Sequence, residues 1–569
     1  MALFAPSESP AVVVREIDLT GGVPNVQSTT GAFVGEFTAG PVNKRVLINN
    51  EEELVATFGS PTDSNAVDFL TCTQFLRYSG SLYVTRVLGS GALNAADAAS
   101  GTPVSIPDQD TFTNNLSGFT GQVFARETGT LGNSLAGKYW RGDSVGANFS
   151  TWAYSGSFNG APATSFSVNA KGSEGDEFHV VVVDSDGEIT GTKGTVLETF
   201  EDLSVLADAK DYQGVSQFAR EVVNNTSQYI YLKDITALNN FGDTSALNTV
   251  YWQEDSDNLV LEGGSVGSAT NLSAIQTGWD LYEDKDQVEI DFMLARDMAD
   301  SDNQVSLVND LVATARSIRK DCVVVTSPPS TTIVGVTNDA TKVSNIISQT
   351  NRYTKSSYLV VDGNYLKVYD KLTDKYRFIP ASSTVAGCMA LTDLNRAAWF
   401  SPAGERRGQM LGITSLAFSP TKGQRDQLYK AGVNPIANIP GKGALLFGDK
   451  TKLGRISAFD RINVRRLFLI LERAIGRAAE SVLFELNDEF TRAEFVNIVE
   501  PVLREVQGRR GITDFRVVCD ETNNTPAVVD RNEFKADIFI KPARSINYVT
   551  LTFVAVRTGV DFEEVVGTV

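Results

Sequence analysis

Near its end the chain carries Tyr548-Val-Thr-Leu-Thr-Phe-Val-Ala-Val556, a run without charge, proline or glycine. Val549, Leu551, Phe553 and Ala555 fall on one face, and Tyr548, Thr550, Thr552, Val554 and Val556 on the other. Period-two spacing of β-branched and aromatic residues predicts a strand. A strand this free of charge is adhesive along any exposed edge, so its partner lies either in this chain or in another copy. A second strand-like arm, Pro10-Ala-Val-Val-Val-Arg-Glu-Ile-Asp18 with Val12, Val14 and Ile17, precedes Gly21-Gly22. Adhesive strands at opposite ends suit subunit exchange by strand addition. Pairing of the two termini within one chain is the alternative.

Between the arms the periodicity changes class. Ala32–Phe37 and Ser81–Leu88 read as strands around two helical stretches, Glu51–Gly59 and Ala66–Tyr78, the first stopped by glycine. From 90 to 270 the chain is rich in Gly, Ser, Asn and Asp, with short strands such as Gln122–Ala125, Phe178–Val183 and Tyr229–Leu232. From 271 to 375 an α/β pattern returns. Val288–Leu294, Cys322–Thr326 and Tyr358–Val361 are strands, and Asn303–Lys320 and Thr341–Thr350 are helices. That alternation implies right-handed crossovers and a locally parallel sheet. In the helix over 464–482, Val464, Leu467, Phe468, Leu471, Ile475 and Ala478 follow i, i+3, i+4 spacing and face a core.

A chain of 569 residues exceeds one core and implies three or four domains. Its net charge of −19 is uneven. Residues 101–300 carry 30 acidic and 10 basic side chains, whereas 380–480 carry 15 basic and 7 acidic. Two surfaces with different neighbours follow. The basic one lacks interleaved aromatics, which disfavours nucleic acid. No run of about 18 apolar residues predicts a membrane helix, and the N-terminus lacks the form of a signal peptide. Cys72, Cys322, Cys388 and Cys519 are widely spaced and read as buried free thiols.

Catalytic chemistry has little to draw on. The single histidine, His179, sits in a strand pattern and is expected on a strand surface. Asp184-Ser-Asp-Gly187 resembles half a calcium loop but lacks the downstream glutamate, so it reads as a hairpin turn. Leu261-Glu-Gly-Gly-Ser-Val-Gly267 is glycine-rich without the βαβ context of a dinucleotide site. The strand exits Ser327-Pro-Pro and Asp362-Gly-Asn carry neither a phosphate loop nor a nucleophile elbow, and Gly441-Lys-Gly lacks the rest of a P-loop. No catalytic, cofactor-binding or metal-binding residue is assigned.

Several ordered motifs resemble the contractile-tail sheath proteins of large tailed phages. Near the N-terminus these are Phe33-Val-Gly35, Gly40-Pro41, Phe58-Gly59 and Leu82–Val87. Further on come Pro380 with Val385-Ala-Gly387, Asp393, Trp399-Phe-Ser-Pro-Ala403, Gly432-Val-Asn-Pro435 and Leu445–Lys450. Phe459–Leu467, Phe484-Glu-Leu-Asn487, Val518–Thr525 and Pro542–Asn547 complete the series. The resemblance implies an α/β and α+β multidomain fold. Its mixed-sheet sheath core spans 23–89 and 271–384, and a β-rich acidic outer insertion spans 90–270. An inner domain facing the tail tube covers 385–545, and strand arms lie at 1–22 and 546–569. It further implies helical homo-oligomers linked through the terminal strands, with a tail tube protein, baseplate and tail terminator proteins as partners. No cofactor, no nucleic acid and no membrane insertion are implied. The sheath would assemble in the host cytoplasm and reside in the virion tail. The same motifs would also serve a cellular contractile injection device. Arg466, Arg473 and Arg477, opposite the apolar face of the 464–482 helix, form with Arg465 a basic stripe expected to face an acidic tube.

Overall fold

The computed structural model describes residues 29–545, apart from 99–100, 142–148, 237, 239, 245–257 and 269–270. Both terminal arms lie outside the described residues, including Val12, Val14, Ile17, Val549, Leu551, Phe553 and Ala555.

A six-stranded sheet organises the first compact body, in the order 359–361, 323–326, 292–294, 31–35, 82–86, 45–48. The first five strands are parallel and Arg45–Ile48 runs antiparallel at the edge. Helices cover both faces, so alternate residues of one strand enter different cores. Phe33, Val323 and Val325 pack on one side with Phe58, Phe75 and Met389. Ala32, Val34 and Val324 pack on the other with Trp279, Leu307 and Ile346. Burial on both faces explains the continuous apolar run Cys322-Val-Val-Val. The helix expected over 303–320 is α-helical over Ser301–Ala313 and widens into a π turn over Thr314–Arg319. Lys320 ends it in the left-handed conformation. The expected strand 288–294 shortens to Phe292–Leu294.

The Gly- and Asp-rich stretch folds into a seven-stranded antiparallel sheet in the order 195–204, 177–184, 135–141, 258–262, 94–97, 123–128, 230–232. Asp184 shapes the hairpin between its two longest strands, accepting from the backbone N–H of Gly187 (2.9 Å), Ile189 (3.1 Å) and Thr190 (2.7 Å). Gly264 allows a close approach, since a Cβ there would lie 2.3 Å from the Gly129 carbonyl. His179 is a correction: it is fully buried, not on the strand surface. Short turns over 149–158 cover its strand, and its ring stacks on Phe158 with centroids 4.4 Å apart. Nδ1 accepts from the Asp202 N–H (3.1 Å), which leaves the Nε2 proton to be donated to the Gly160 carbonyl (3.0 Å).

Arg86 joins this sheet to the parallel one. Its buried guanidinium donates to the carbonyls of Phe37 (3.0 Å), Gly40 (2.8 Å) and Thr38 (3.1 Å), and across to Thr128 of the antiparallel sheet (2.5 Å). Glu127 returns the link by accepting from Gly40 N–H at 2.7 Å. The four cysteines are buried and free.

The second compact body comprises 399–401 and the described residues from Ala474 onward, so the division falls inside the Ile462–Glu480 helix. Sequence reading put it near 385. The Ser382–Asn395 helix is buried almost all round, and Val385, Ala386 and Met389 belong to the parallel sheet's core.

Arg86→Met would take this donor from four carbonyls and leave Glu127 with Arg126 as its remaining counter-charge. We expect a loss of about 3–5 kcal/mol in urea unfolding of the unassembled chain. Arg86→Lys should recover only part of it, because one ammonium cannot span the fork. A loss under about 1 kcal/mol would contradict this assignment.

Candidate functional site: the basic helix and the terminal sheet

Three of the four arginines expected to form a tube-facing stripe serve the fold instead. Arg466 is 4% exposed. Its Nη1 donates to Asp393 Oδ1 (2.6 Å) and to the Met389 carbonyl (3.1 Å), its Nη2 pairs with Asp393 Oδ2, and its plane lies 4.7 Å from the Phe292 ring. Arg473 Nη1 donates to Asp291 Oδ1 (2.9 Å) and its Nη2 to the Asp321 carbonyl (3.0 Å). It thereby grips the residues that lead into two parallel strands. Asp291 also accepts from Thr30 N–H (3.0 Å). Burial lifts its carboxyl to about 6, against the pull of Arg473 and Arg466. Arg465 lies 4.5 Å from the Tyr358 ring and 4.9 Å from Phe459, and reaches Glu472 at 3.3 Å. Arg477 is half-buried in the last turn. Expectation therefore needs correction at Arg465, Arg466 and Arg473. A helical wheel marks that face as polar and cannot show that carboxylates 73 and 182 residues away meet it.

The crest of the parallel sheet, where open α/β sheets bind ligands, is filled by the chain itself. Tyr365 is buried there and its hydroxyl donates to the Pro328 carbonyl (3.0 Å). Asn364 Nδ2 donates to the Phe418 carbonyl (2.8 Å), and Asn434 Nδ2 to those of Val361 (3.1 Å) and Lys450 (2.8 Å). Ser327 Oγ lies 2.9 Å from both oxygens of Asp362 and accepts from Ser382 N–H at 3.1 Å. Burial raises Asp362 to about 8, the Ser327 hydrogen bond opposing. A buried serine beside a protonated carboxyl has neither a nucleophile's access nor a base. Among the described residues no group of three or more His, Cys, Asp or Glu could hold a metal ion, and no helix is long and apolar enough to cross a membrane.

The second body offers a different kind of surface. Its Glu489–Gly508 helix is capped by Asp488, which accepts from Thr491 N–H at 2.9 Å, and buries Phe495, Val499, Leu503 and Val506. The strand Ile512–Val518 follows, paired antiparallel with Asp537–Pro542. Asn524 ties the connection, donating to the Lys535 carbonyl (2.7 Å) and accepting from Lys535 N–H (2.8 Å). Trp399 joins the same body through its indole N–H to the Arg509 carbonyl (3.2 Å). Among the described residues this sheet has two strands and no third, and Phe539 is 61% exposed on it. A two-stranded sheet is marginal alone, and strand edges left unpaired are templates for further strands.

Removing one partner of a buried pair costs about 3–5 kcal/mol. Arg466→Ala or Arg473→Glu should therefore destabilise the unassembled chain by that order in denaturant melts. Unchanged stability with weakened tube docking would restore the tube-facing reading. Asp362 yields a pH prediction. Its folded value of about 8 exceeds the ordinary 3.8, so the native chain keeps a proton that the unfolded chain releases. The contribution of Asp362 to stability then falls as pH rises from about 4 to about 8, by at most about 1.4 kcal/mol per unit, and is level outside that window. Asp362→Asn should remove this slope in melts across the range. A parallel pH dependence in both proteins would contradict it.

Comparison with known proteins gives these features a context. The family described as "Phage tail sheath protein central domain" matches residues 270–452, and "Phage tail sheath C-terminal domain" matches 456–556. The tail sheath protein of Enterobacteria phage T4 is 31% identical, with 98% of this chain and 99% of that protein covered. That of Vibrio phage KVP40 is also 31% identical, with the same coverage. Among solved structures, the sheath tail protein of Listeria innocua has a TM-score of 0.54 at 13% identity, covering 92% of this chain and 97% of the other. The helical sheath of the anti-feeding prophage in its contracted state has a TM-score of 0.51 at 12% identity, covering 97% and 99%. The last two share the mixed α/β fold. The chain belongs to the phage tail sheath protein family, the structural subunits of contractile tails.

Proposed function

We propose that this chain polymerises helically around an inner tail tube and shortens to drive that tube through the host envelope for genome delivery. The observation that carries this reading is the two-stranded sheet Ile512–Val518/Asp537–Pro542, which among the described residues has no third strand, in a body whose sequence continues into an uncharged strand pattern. Each copy offers edges, and the arms at 1–22 and 546–569 carry strand sequences to fill those of its neighbours. A strand of about eight residues adds several backbone hydrogen bonds worth about 0.5–1.5 kcal/mol net each. One link is modest, but a heterologous link repeated through a helical polymer becomes a continuous mesh.

The chain acts without catalysis or a cofactor. The filled crest supports this, and so does its kinship with sheath proteins. Contraction then draws on free energy stored at assembly, with the extended lattice metastable relative to the contracted one. The β-rich sheet within 90–270 is the outer insertion, and 385–545 supplies the tube-facing side. Of the four arginines, Arg473 and Arg477 keep partial exposure, with Arg473 engaged by Asp291, and the exposed cations Lys422, Lys430 and Arg455 are further candidates for tube contact. Such contacts are weak and salt-sensitive, as a releasable interface requires. Partners are further copies of the chain, the tail tube protein, and baseplate and tail terminator proteins, with no nucleic acid or membrane insertion. Assembly takes place in the host cytoplasm and the product resides in the virion tail. Relatives from phages at 31% identity favour this setting over a cellular injection device.

Deleting residues 1–22 should leave a chain with the wild-type melting transition that forms no tubes under negative stain. Normal tubes from that deletion would sink the strand-exchange reading.

A further inference from the structure

Two surfaces of the chain combine exposed apolar residues with charges of one sign, and the signs are opposite. The first is the turn between the Ile462–Glu480 and Glu489–Gly508 helices, in the second body. There Leu483, Phe484, Leu486 and Phe490 are 61%, 105%, 76% and 76% exposed. Single exposed apolar residues are ordinary, but four in one turn mark a contact surface. The exposed charges around them are Glu480, Glu485, Asp488 and Glu489, while Arg477, one turn earlier, is half-buried. Arg492 is buried and donates through Nε to Asn487 Oδ1 (2.9 Å). Asn487 Nδ2 in turn donates to the Glu533 carbonyl (2.8 Å), which fixes the backbone that presents the apolar side chains.

The second surface belongs to the first body. Leu394, in the last turn of the Ser382–Asn395 helix, and Leu411 are 63% and 44% exposed. Leu411 is held by its N–H to the Tyr78 hydroxyl (2.5 Å) and by its carbonyl, which accepts from Gln74 Nε2 (2.5 Å). The Gln409 carbonyl lies 3.7 Å from Cys388 Sγ, so the run into Leu411 lies along the same helix as Leu394. Arg77, Arg396 and Arg406 are exposed here and Arg407 is half-buried. The Arg77 guanidinium lies against Gly412, where a Cβ would meet it at 1.9 Å. Burial, with Arg396 and Arg406 nearby, holds the Arg407 guanidinium below its ordinary value. The carboxylates beside these arginines are committed elsewhere, Glu405 to Lys442 and Asp393 to Arg466.

We propose that the turn 483–490 of one copy docks on this leucine–arginine patch of a neighbouring copy. This rests on the helical polymer proposed above and adds a contact between folded domains that uses neither terminal arm. Apolar side chains on both sides leave water together, and four carboxylates face four guanidinium groups around them. The chain's own turn does not reach the patch. Trp399 donates its indole N–H to the Arg509 carbonyl, at the C-terminal end of the Glu489–Gly508 helix, whereas the turn lies at the N-terminal end. A helix of that length spans about 30 Å. Arg396 lies three residues from Trp399, and three residues reach only about 10 Å. A neighbouring copy meets no such limit.

The test uses the full chain alone, self-assembled without other proteins, with tubes counted under negative stain. Glu480→Arg/Glu485→Arg and, separately, Arg396→Glu/Arg406→Glu should keep the wild-type melting temperature. Each should lower tube yield about tenfold or more, because like charges then face each other across the contact. The four changes combined in one chain should restore tubes. An equimolar mixture of the two double variants should restore them as well, since the turn of each then meets the patch of the other. Normal tubes from either double variant, or no restoration in the mixture, would overturn the contact and leave strand exchange standing. Restoration by the combined variant alone would place the contact within one copy and overturn it likewise. If the wild-type chain forms no tubes, the helical-polymer reading itself fails and the contact with it.

Discussion

Two buried ion pairs hold the first body's last helix against the parallel sheet. Arg466 closes on Asp393 of the Ser382–Asn395 helix, and Arg473 on Asp291 at the entry to a central strand. A buried guanidinium is tolerable only when carboxylates and carbonyls surround it, so these pairs fix orientation more than they add stability. Arg86 repeats the device where the two large sheets meet. In a subunit that transmits force, joints made of directional, fully partnered charge resist sliding better than apolar contact alone.

The same logic explains why several of the motifs that carried the family resemblance are internal. Asp393 holds Arg466. Asn434 of Gly432-Val-Asn-Pro435 bridges the carbonyls of Val361 and Lys450. Gly387 leaves room for the Tyr78 ring, which a Cβ would meet at 2.6 Å. These residues are required by packing. The surface a ligand would use on such a sheet is closed by Tyr365, Asn364 and Asn434, and the second body carries what is, among the described residues, a two-stranded sheet, together with an exposed apolar turn.

The parallel sheet was readable because strands buried on both faces leave unmistakable apolar runs, Cys322–Thr326 above all. The apolar face of the 464–482 helix was readable from its spacing, with Val464, Leu467, Leu471 and Ala478 buried. The arginines on its other face were misread for a definite reason. Local periodicity reports polarity, whereas partnership depends on residues brought together by the fold. His179 failed likewise, because a strand pattern does not show that turns over 149–158 cover it. The Ser382–Asn395 helix gave no amphipathic signal because it is buried almost all round. The exposed cluster 483–490 was visible as residues but not as a surface, since apolar side chains near a helix end ordinarily turn inward.

Amide hydrogen exchange compared between the unassembled chain and assembled sheaths tests the central claim most directly, that the strand-accepting surface lies in the second body and that Arg466 and Arg473 of the first serve its fold. The account predicts that assembly adds protection to the strands 512–518 and 537–542 and to the turn 483–490. The crest residues 326–328 and 362–365 and the helix over 462–473 should stay as protected as before. New protection confined to the crest or to that helix, with none at the terminal sheet, would contradict it.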